Sequence, residues 1–152
     1  TTEIYTLSLH DALPISTPVG FEPAESVMGR ARDIAAQTGA MILGSNDPVE
    51  AVRGAGVIYT DIFVSMGEEH MEGKTDAFED FQINEELVAH ADPDYLFMHC
   101  LPAHRGEEVT DAVIDSSNSV VFDQAENRMW AQMSLLTYLC NNDAWHAYKE
   151  LE

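Results

Sequence analysis

Positive charge is the scarcest commodity in this chain. Of 152 residues only 7 are lysine or arginine, against 27 aspartate or glutamate, for a net charge of −20. The lysines are Lys74 and Lys149 alone. Such a balance repels polyanions, so nucleic acid and anionic membrane surfaces are excluded as expected partners. Cysteine is nearly absent too. Cys100 and Cys140 cannot make a disulfide framework, and their use suits a reducing, cytoplasmic setting. No apolar run is long enough to cross a bilayer. Residues 1–16 lack the basic start and continuous apolar stretch of a signal peptide. No internal repeat occurs. A dinucleotide fingerprint is also missing: Gly54-Ala55-Gly56 leads into a strand, whereas that motif needs strand, then glycines, then helix. What is present is 45% hydrophobic and 9% aromatic residues, enough for one folded domain with a real core. The carboxylate excess resembles that of salt-adapted proteins, and a halophilic or halotolerant source is the corresponding expectation.

Taken in order, the chain alternates short strands with helices. Residues 17–23 are turn chemistry, with Pro18, Gly20 and Pro23. Residues 24–38 read as a helix with Val27, Ala31, Ile34 and Ala35 on its core face and Gly39 as C-cap. A strand is expected at 40–43. Asp47 is the N-cap of a helix over 49–53, with Pro48 in its first turn. Strands follow at 57–60 and 95–98, with an acidic excursion over 68–80 and a helix over 84–91 between them. Beyond lie a helical turn at 110–114 capped by Thr110, a last strand at 119–122, and a long helix over 124–140. That helix carries a stripe of Ala125, Met129, Met133, Leu136 and Cys140. A final short helix is expected at 144–151, anchored by Trp145 and Tyr148. The alternation argues for a parallel sheet in an α/β layer fold.

The stretch that organises the rest is Phe97-Met98-His99-Cys100-Leu101-Pro102-Ala103-His104-Arg105-Gly106-Glu107-Glu108. An apolar strand runs into a stiff, proline-bearing polar edge, and open α/β sheets collect ligand groups just past their strand ends. By pattern alone, a strand ending in a polar turn is the more ordinary account. Two further segments change the weighting: Tyr59-Thr60-Asp61-Ile62-Phe63-Val64-Ser65-Met66-Gly67 upstream, and Phe122-Asp123-Gln124-Ala125-Glu126-Asn127-Arg128 downstream. In this order the three resemble the signatures of ornithine carbamoyltransferases, and the likeness runs from about residue 17 to about residue 139.

The resemblance implies a three-layer α/β sandwich with a parallel, Rossmann-like sheet, incomplete on its N-terminal side. It assigns 17–152 to part of an ornithine-binding domain. Residues 1–16 lie outside it; they resemble translated sequencing adapter and are set aside from fold reasoning as a non-native extension, a native strand being the alternative. The implied reaction transfers the carbamoyl group of carbamoyl phosphate to the δ-amine of ornithine, giving citrulline and phosphate in arginine biosynthesis. No cofactor and no metal are implied. The family's full-length members imply a homotrimer or higher homo-oligomer.

Site roles follow residue by residue. Asp61 would grip the substrate's α-ammonium through a charge-assisted hydrogen bond. Ser65 would add its hydroxyl there, and the Met66 N–H would bind the α-carboxylate. Cys100 would stand near the δ-amine as a polar positioner and proton relay, being a thiol that a neighbouring carboxylate keeps from ionising. The carbonyls of Cys100 and Leu101 would accept from the carbamoyl NH2, and Arg128 would donate to carbamoyl phosphate. Each has an ordinary counterpart: a strand-end acid, loop residues, a small buried thiol, a solvated arginine. A zinc site at His99, Cys100 and His104 lacks a second ligand pair, and a Cys100–His104 dyad lacks an accompanying oxyanion-hole pattern. His70, His90 and His146 read as surface or packing residues. The family's Ser-Thr-Arg-Thr-Arg loop, its His-Pro-x-Gln segment and its asparagine-rich turn do not occur here, so the expectation is a truncated chain without transferase activity of its own. A transcarbamoylase for another amine or amino acid, or a noncatalytic α/β binding module, are the competing readings.

Overall fold

A computed structural model of the chain describes residues 12–64 and 74–140. Within them the elements run β1 (Ala12–Ser16), α1 (Glu25–Thr38), β2 (Met41–Ser45), α2 (Pro48–Val52), β3 (Val57–Thr60), α3 (Lys74–Ala77), a 3-10 turn (Glu79–Phe81), α4 (Glu85–Val88), β4 (Leu96–His99), α5 (Asp111–Ile114) and α6 (Val121–Cys140). The strands form two parallel pairs, β1 with β2 and β3 with β4. In the first pair Ala12 lies opposite Met41, and in the second Val57 lies opposite Leu96. The fold is thus α/β with parallel strands in an incomplete sheet, divided into two pairs among the described residues.

The local chemistry behind these elements is explicit. Asp47 accepts the Val49 and Glu50 N–H groups at 2.9 and 3.2 Å, and Pro48 occupies the first helical position, so orphan donors are satisfied where a proline loses nothing. Gly39 closes α1 in the left-handed region (φ 82°), donating to Ala35 O at 2.8 Å. Asn84 caps α4 by accepting the Leu87 N–H at 2.9 Å. The core sits around β3 and β4: Ile58 and Phe97 from the strands pack with Leu87 of α4, Val113 and Ile114 of α5, Val109 and Val121. Phe97 and Val109 are completely buried.

Several expectations change. Residues 12–16, set aside by sequence, form a strand in register with β2. That pairing concerns conformation rather than origin, because a ladder is built from main-chain groups that any sequence supplies. The face of α1 changes in part: Ala35 is buried as expected and Met28 joins it, while Val27 and Ile34 are exposed. Thr110 precedes α5 without capping it, its hydroxyl donating instead to Glu85 at 2.8 Å. The expected last strand at 119–122 reduces to one bridge between Phe97 and Ser119, and Val121 already begins α6. The stripe on α6 covers nothing, since Met129, Met133 and Leu136 are about half exposed or more. The expected helix at 144–151 lies outside the described residues.

Candidate active site at the strand ends

Parallel pairing of β3 with β4 brings Asp61 and Cys100 side by side, each one residue past its strand. The Cys100 thiol donates to Asp61 Oδ1 at 2.9 Å. Cys100 also borders a cleft of about 330 Å³ together with Tyr59, Gln124, Ala125 and Arg128. The acid, the thiol and the guanidinium therefore stand at one rim: Asp61 by its bond to Cys100, Arg128 by sharing the cleft, one helical turn beyond Gln124 on α6. Ser65 and Met66 lie outside the described residues.

The electrostatics follow from this packing. Burial first, then the hydrogen bond and negative charge of Asp61, push the Cys100 thiol above the ordinary cysteine range. The same thiol, by donating, holds the Asp61 carboxyl below the ordinary range, with the Ile62 N–H assisting at 2.8 Å. Cys100 is thus a neutral donor, not a thiolate, next to an ionised acid. Tyr59 is raised as well, by burial first and then by Cys100.

The edge that carries Leu101 is held from beneath. His99 and Glu108 are fully buried. His99 Nδ1 accepts the Leu101 N–H at 2.9 Å, so in the neutral ring the proton sits on Nε2, which lies 3.2 Å from Glu108 Oε1. That approach is at ion-pair distance but is not aligned as a hydrogen bond, and Glu108 Oε2 has no partner. Glu108 Oε1 accepts the His104 N–H at 2.6 Å. Leu101 adopts φ 53°, and its bond to Pro102 is cis. The left-handed region costs a side-chain-bearing residue about 1–2 kcal/mol, which the His99–Leu101 contact helps to offset. Further out, Gln82 donates to the carbonyls of Gly106 and Glu107 at 2.8 and 2.9 Å, and Arg105 pairs with Asp111 and Asp115. Besides its proline, the polar edge is tied down by hydrogen bonds from Gln82 and to His99 and Glu108.

Four residues at the site escaped sequence reasoning: Tyr59, Gln124, Glu108 and His99 in its supporting role. Tyr59 had a readable signal, since it lies two residues before Asp61 and strand alternation puts both on one face. Gln124 Oε1 accepts the His99 N–H at 3.0 Å, a bond across 25 positions that no local pattern announces. His104, Glu107 and Glu108 offer ligand atoms within 4.8 Å of one another, a different set from the His99, Cys100 and His104 weighed for zinc. Two of its members are exposed and Glu108 already serves the backbone, so no metal is assigned. Among the described residues no helix is long and apolar enough to cross a membrane.

Parallel strands under helices, with a polar cluster just past the strand ends, define the class: a Rossmann-like α/β domain. Residues 4–139 match the family "Aspartate/ornithine carbamoyltransferase, Asp/Orn binding domain". The chain is 58% identical over 123 residues to the catabolic ornithine carbamoyltransferase of Thermoplasma acidophilum, covering 80% of this chain and 40% of that one. It is 57% identical over 123 residues to the anabolic enzyme of Pyrococcus furiosus, covering 80% and 39%. The solved structure of the Pyrococcus furiosus ornithine carbamoyltransferase superposes with a TM-score of 0.76 at 56% identity, over 82% of this chain and 40% of that one. The chain belongs to the aspartate/ornithine carbamoyltransferase family, in its Asp/Orn-binding domain, and it spans about 40% of the length of the relatives it matches.

Proposed function

We propose that this chain is the ornithine-binding part of an ornithine carbamoyltransferase, the enzyme that joins carbamoyl phosphate to ornithine to give citrulline and phosphate. The observation that carries the reading is the Asp61–Cys100 hydrogen bond at the mouth of a cleft bordered by Arg128. An ionised carboxylate suits an α-ammonium, and Ser65 and Met66 supply the hydroxyl and N–H for the rest of the amino-acid end. The substrate's δ-amine has an ordinary pKa of about 10.4, as lysine does, and must be neutral to react. A neutral thiol beside an acid can hold that nitrogen and take part in passing on its proton, without forming a covalent bond. The amine lone pair then attacks the carbamoyl carbon, a C–N bond forms, the C–O bond to phosphorus breaks, and phosphate leaves with the electron pair. The carbonyls of Cys100 and Leu101 orient the carbamoyl NH2, and Arg128 balances the phosphate charge.

The reaction also needs a phosphate-binding loop, which this sequence does not contain, so the purified chain is expected to bind ornithine but to make no citrulline. Arginine biosynthesis, a cytoplasmic location and a homotrimeric or larger assembly of the whole enzyme belong to the same proposal. The biosynthetic direction rests on the uninterrupted Ala-His-Arg-Gly-Glu-Glu run at 103–108, which resembles biosynthetic more than catabolic members of the family; overall identity is nearly equal to relatives named catabolic and anabolic. Isothermal titration with ornithine tests the reading, alone and with the rest of a relative's enzyme supplied in trans. Asp61→Asn is expected to weaken ornithine binding by about 1.5–3 kcal/mol, the worth of a hydrogen bond to a charged group. Tighter binding of N-acetylornithine would favour a related transcarbamoylase, and no binding of either would favour a noncatalytic module. Citrulline formed by the chain alone would refute its proposed dependence on the missing loop.

A further inference from the structure

Tyr59 and Gln124 border the cleft of about 330 Å³ beside Cys100 and Arg128, yet neither has a part in the chemistry proposed above. Tyr59 lies opposite Met98 in the parallel ladder. Cys100, two residues beyond Met98, is therefore its diagonal neighbour on the same face. Gln124 reaches the same place from the first turn of α6.

The order of donors among these groups can be worked out. Gln124 Oε1 is taken by the His99 N–H at 3.0 Å. A side-chain amide carries its acceptor and its donors on opposite arms, so the NH2 arm of Gln124 is the one left for the cleft. A phenol both accepts and donates. Beside an arm that can only donate, the Tyr59 oxygen accepts, and its own O–H is left for the Cys100 sulfur. That sulfur has sent its hydrogen the other way, to Asp61 Oδ1 at 2.9 Å. The titration of the two groups carries the matching signs. Burial raises the Tyr59 phenol most; Cys100 raises it further, as an acceptor does to its donor, and Gln124 lowers it, as a donor does to its acceptor. Burial and then Asp61 raise the Cys100 thiol, and Tyr59 lowers it.

We infer that Tyr59 is a positioning residue for Cys100: directed by the Gln124 amide, its O–H donates to the sulfur, which keeps the S–H on Asp61 and leaves a sulfur lone pair for an N–H of the substrate's amine. The direction of that last contact matters. A thiol that donated to the neutral amine would occupy the nitrogen lone pair that must attack. With the S–H held on Asp61, the sulfur can only accept from the amine, and the nitrogen lone pair stays free for the carbamoyl carbon. The contact between sulfur and amine rests on the ornithine-binding function proposed above; the arrangement of Gln124, Tyr59, Cys100 and Asp61 does not.

The test uses the whole chain and two readouts at Cys100. One is its S–H stretching band in the infrared, identified by its loss in Cys100→Ser, with exposed Cys140 as reference. The other is the pH profile of its alkylation, whose midpoint reads ionisation rather than access. Tyr59→Phe keeps the ring and removes the hydroxyl. It is expected to move the Cys100 band to higher wavenumber and to leave the Cys140 band in place. It should also raise the alkylation midpoint, slowing the reaction roughly three- to tenfold at a fixed pH below it, the worth of one hydrogen bond. Gln124→Glu keeps an acceptor for the His99 N–H but replaces the donor arm by oxygen, so the Tyr59 O–H turns away from the sulfur. It should move the Cys100 band in the same direction, and add nothing further in a Tyr59→Phe background. An unchanged or lowered midpoint with an unmoved band in Tyr59→Phe would overturn the inference. So would a Gln124→Glu shift of equal size with and without the Tyr59 hydroxyl, since that is the effect of added charge alone. Neither readout needs substrate, whereas ornithine binding is read by titration, so the Tyr59 network and the ornithine-binding function fail in different measurements.

Discussion

The two strand pairs have the same topology and very different burial. In β3 and β4, Ile58, Phe97 and His99 are buried, and Ile58 and Phe97 pack with residues of α4 and α5. In β1 and β2 no strand residue is buried, and Leu13, Met41 and Leu43 are about half exposed. Of the two pairs only the buried one feeds the site, Asp61 following β3 and Cys100 following β4, with Arg128 added from α6. A rigid, desolvated base fixes side chains at a strand end. One half of the sheet is therefore equipped to position groups, while the other presents its side chains largely to solvent.

The sharpest way to test this contrast is to remove a side chain from each pair. Phe97→Ala should lower unfolding free energy by about 3–5 kcal/mol, read from urea midpoints. Leu43→Ala, at an exposed position, should cost no more than about 0.5 kcal/mol. Equal losses would break the comparison.

Next in size is the support beneath Leu101. Glu108→Ala strands the His104 N–H and removes the carboxyl group facing His99. It should cost about 1–3 kcal/mol by thermal melting. A neutral result would mean that the edge is held by Gln82 and Arg105 instead.

Smaller effects belong to the exposed rim. Asp61 raises the Cys100 thiol, so Asp61→Asn should lower it and speed alkylation of Cys100 at fixed pH. The converse sign also follows. Because the Asp61 carboxyl is depressed in the folded chain, its contribution is present above about pH 4 and is lost as pH falls through the lower folded value. Finally, the −20 charge predicts self-repulsion that salt relieves, the screening length falling to about 3 Å at 1 M. Melting temperature should rise from low to molar potassium chloride, and a fall would remove the salt-adaptation expectation.

Legibility in the sequence followed the range of the interactions. Asp47, Gly39 and β3 were readable because caps and short strands are set by neighbours in the chain. Asp61, Cys100 and Arg128 were reached through motif likeness, and strand pairing then put the first two within hydrogen-bonding distance. Glu108 was hidden: its burial depends on the fold of the 100–109 loop, and nothing local distinguishes it from exposed Glu107. The face of α1 was read in part: Ala35 is buried as expected, but Met28 takes the place that the helical spacing gives equally well to its neighbour Val27. The stripe on α6 was legible as a pattern, but periodicity says that a face is apolar, not what covers it.

The central claim is that an amino-acid substrate sits against Asp61 and Cys100. Alkylation of the two cysteines, followed by mass spectrometry with and without ornithine, tests it most directly, with exposed Cys140 as the internal control. The account predicts that ornithine slows modification of Cys100 and leaves Cys140 unchanged; equal rates at Cys100 with and without saturating ornithine would contradict it.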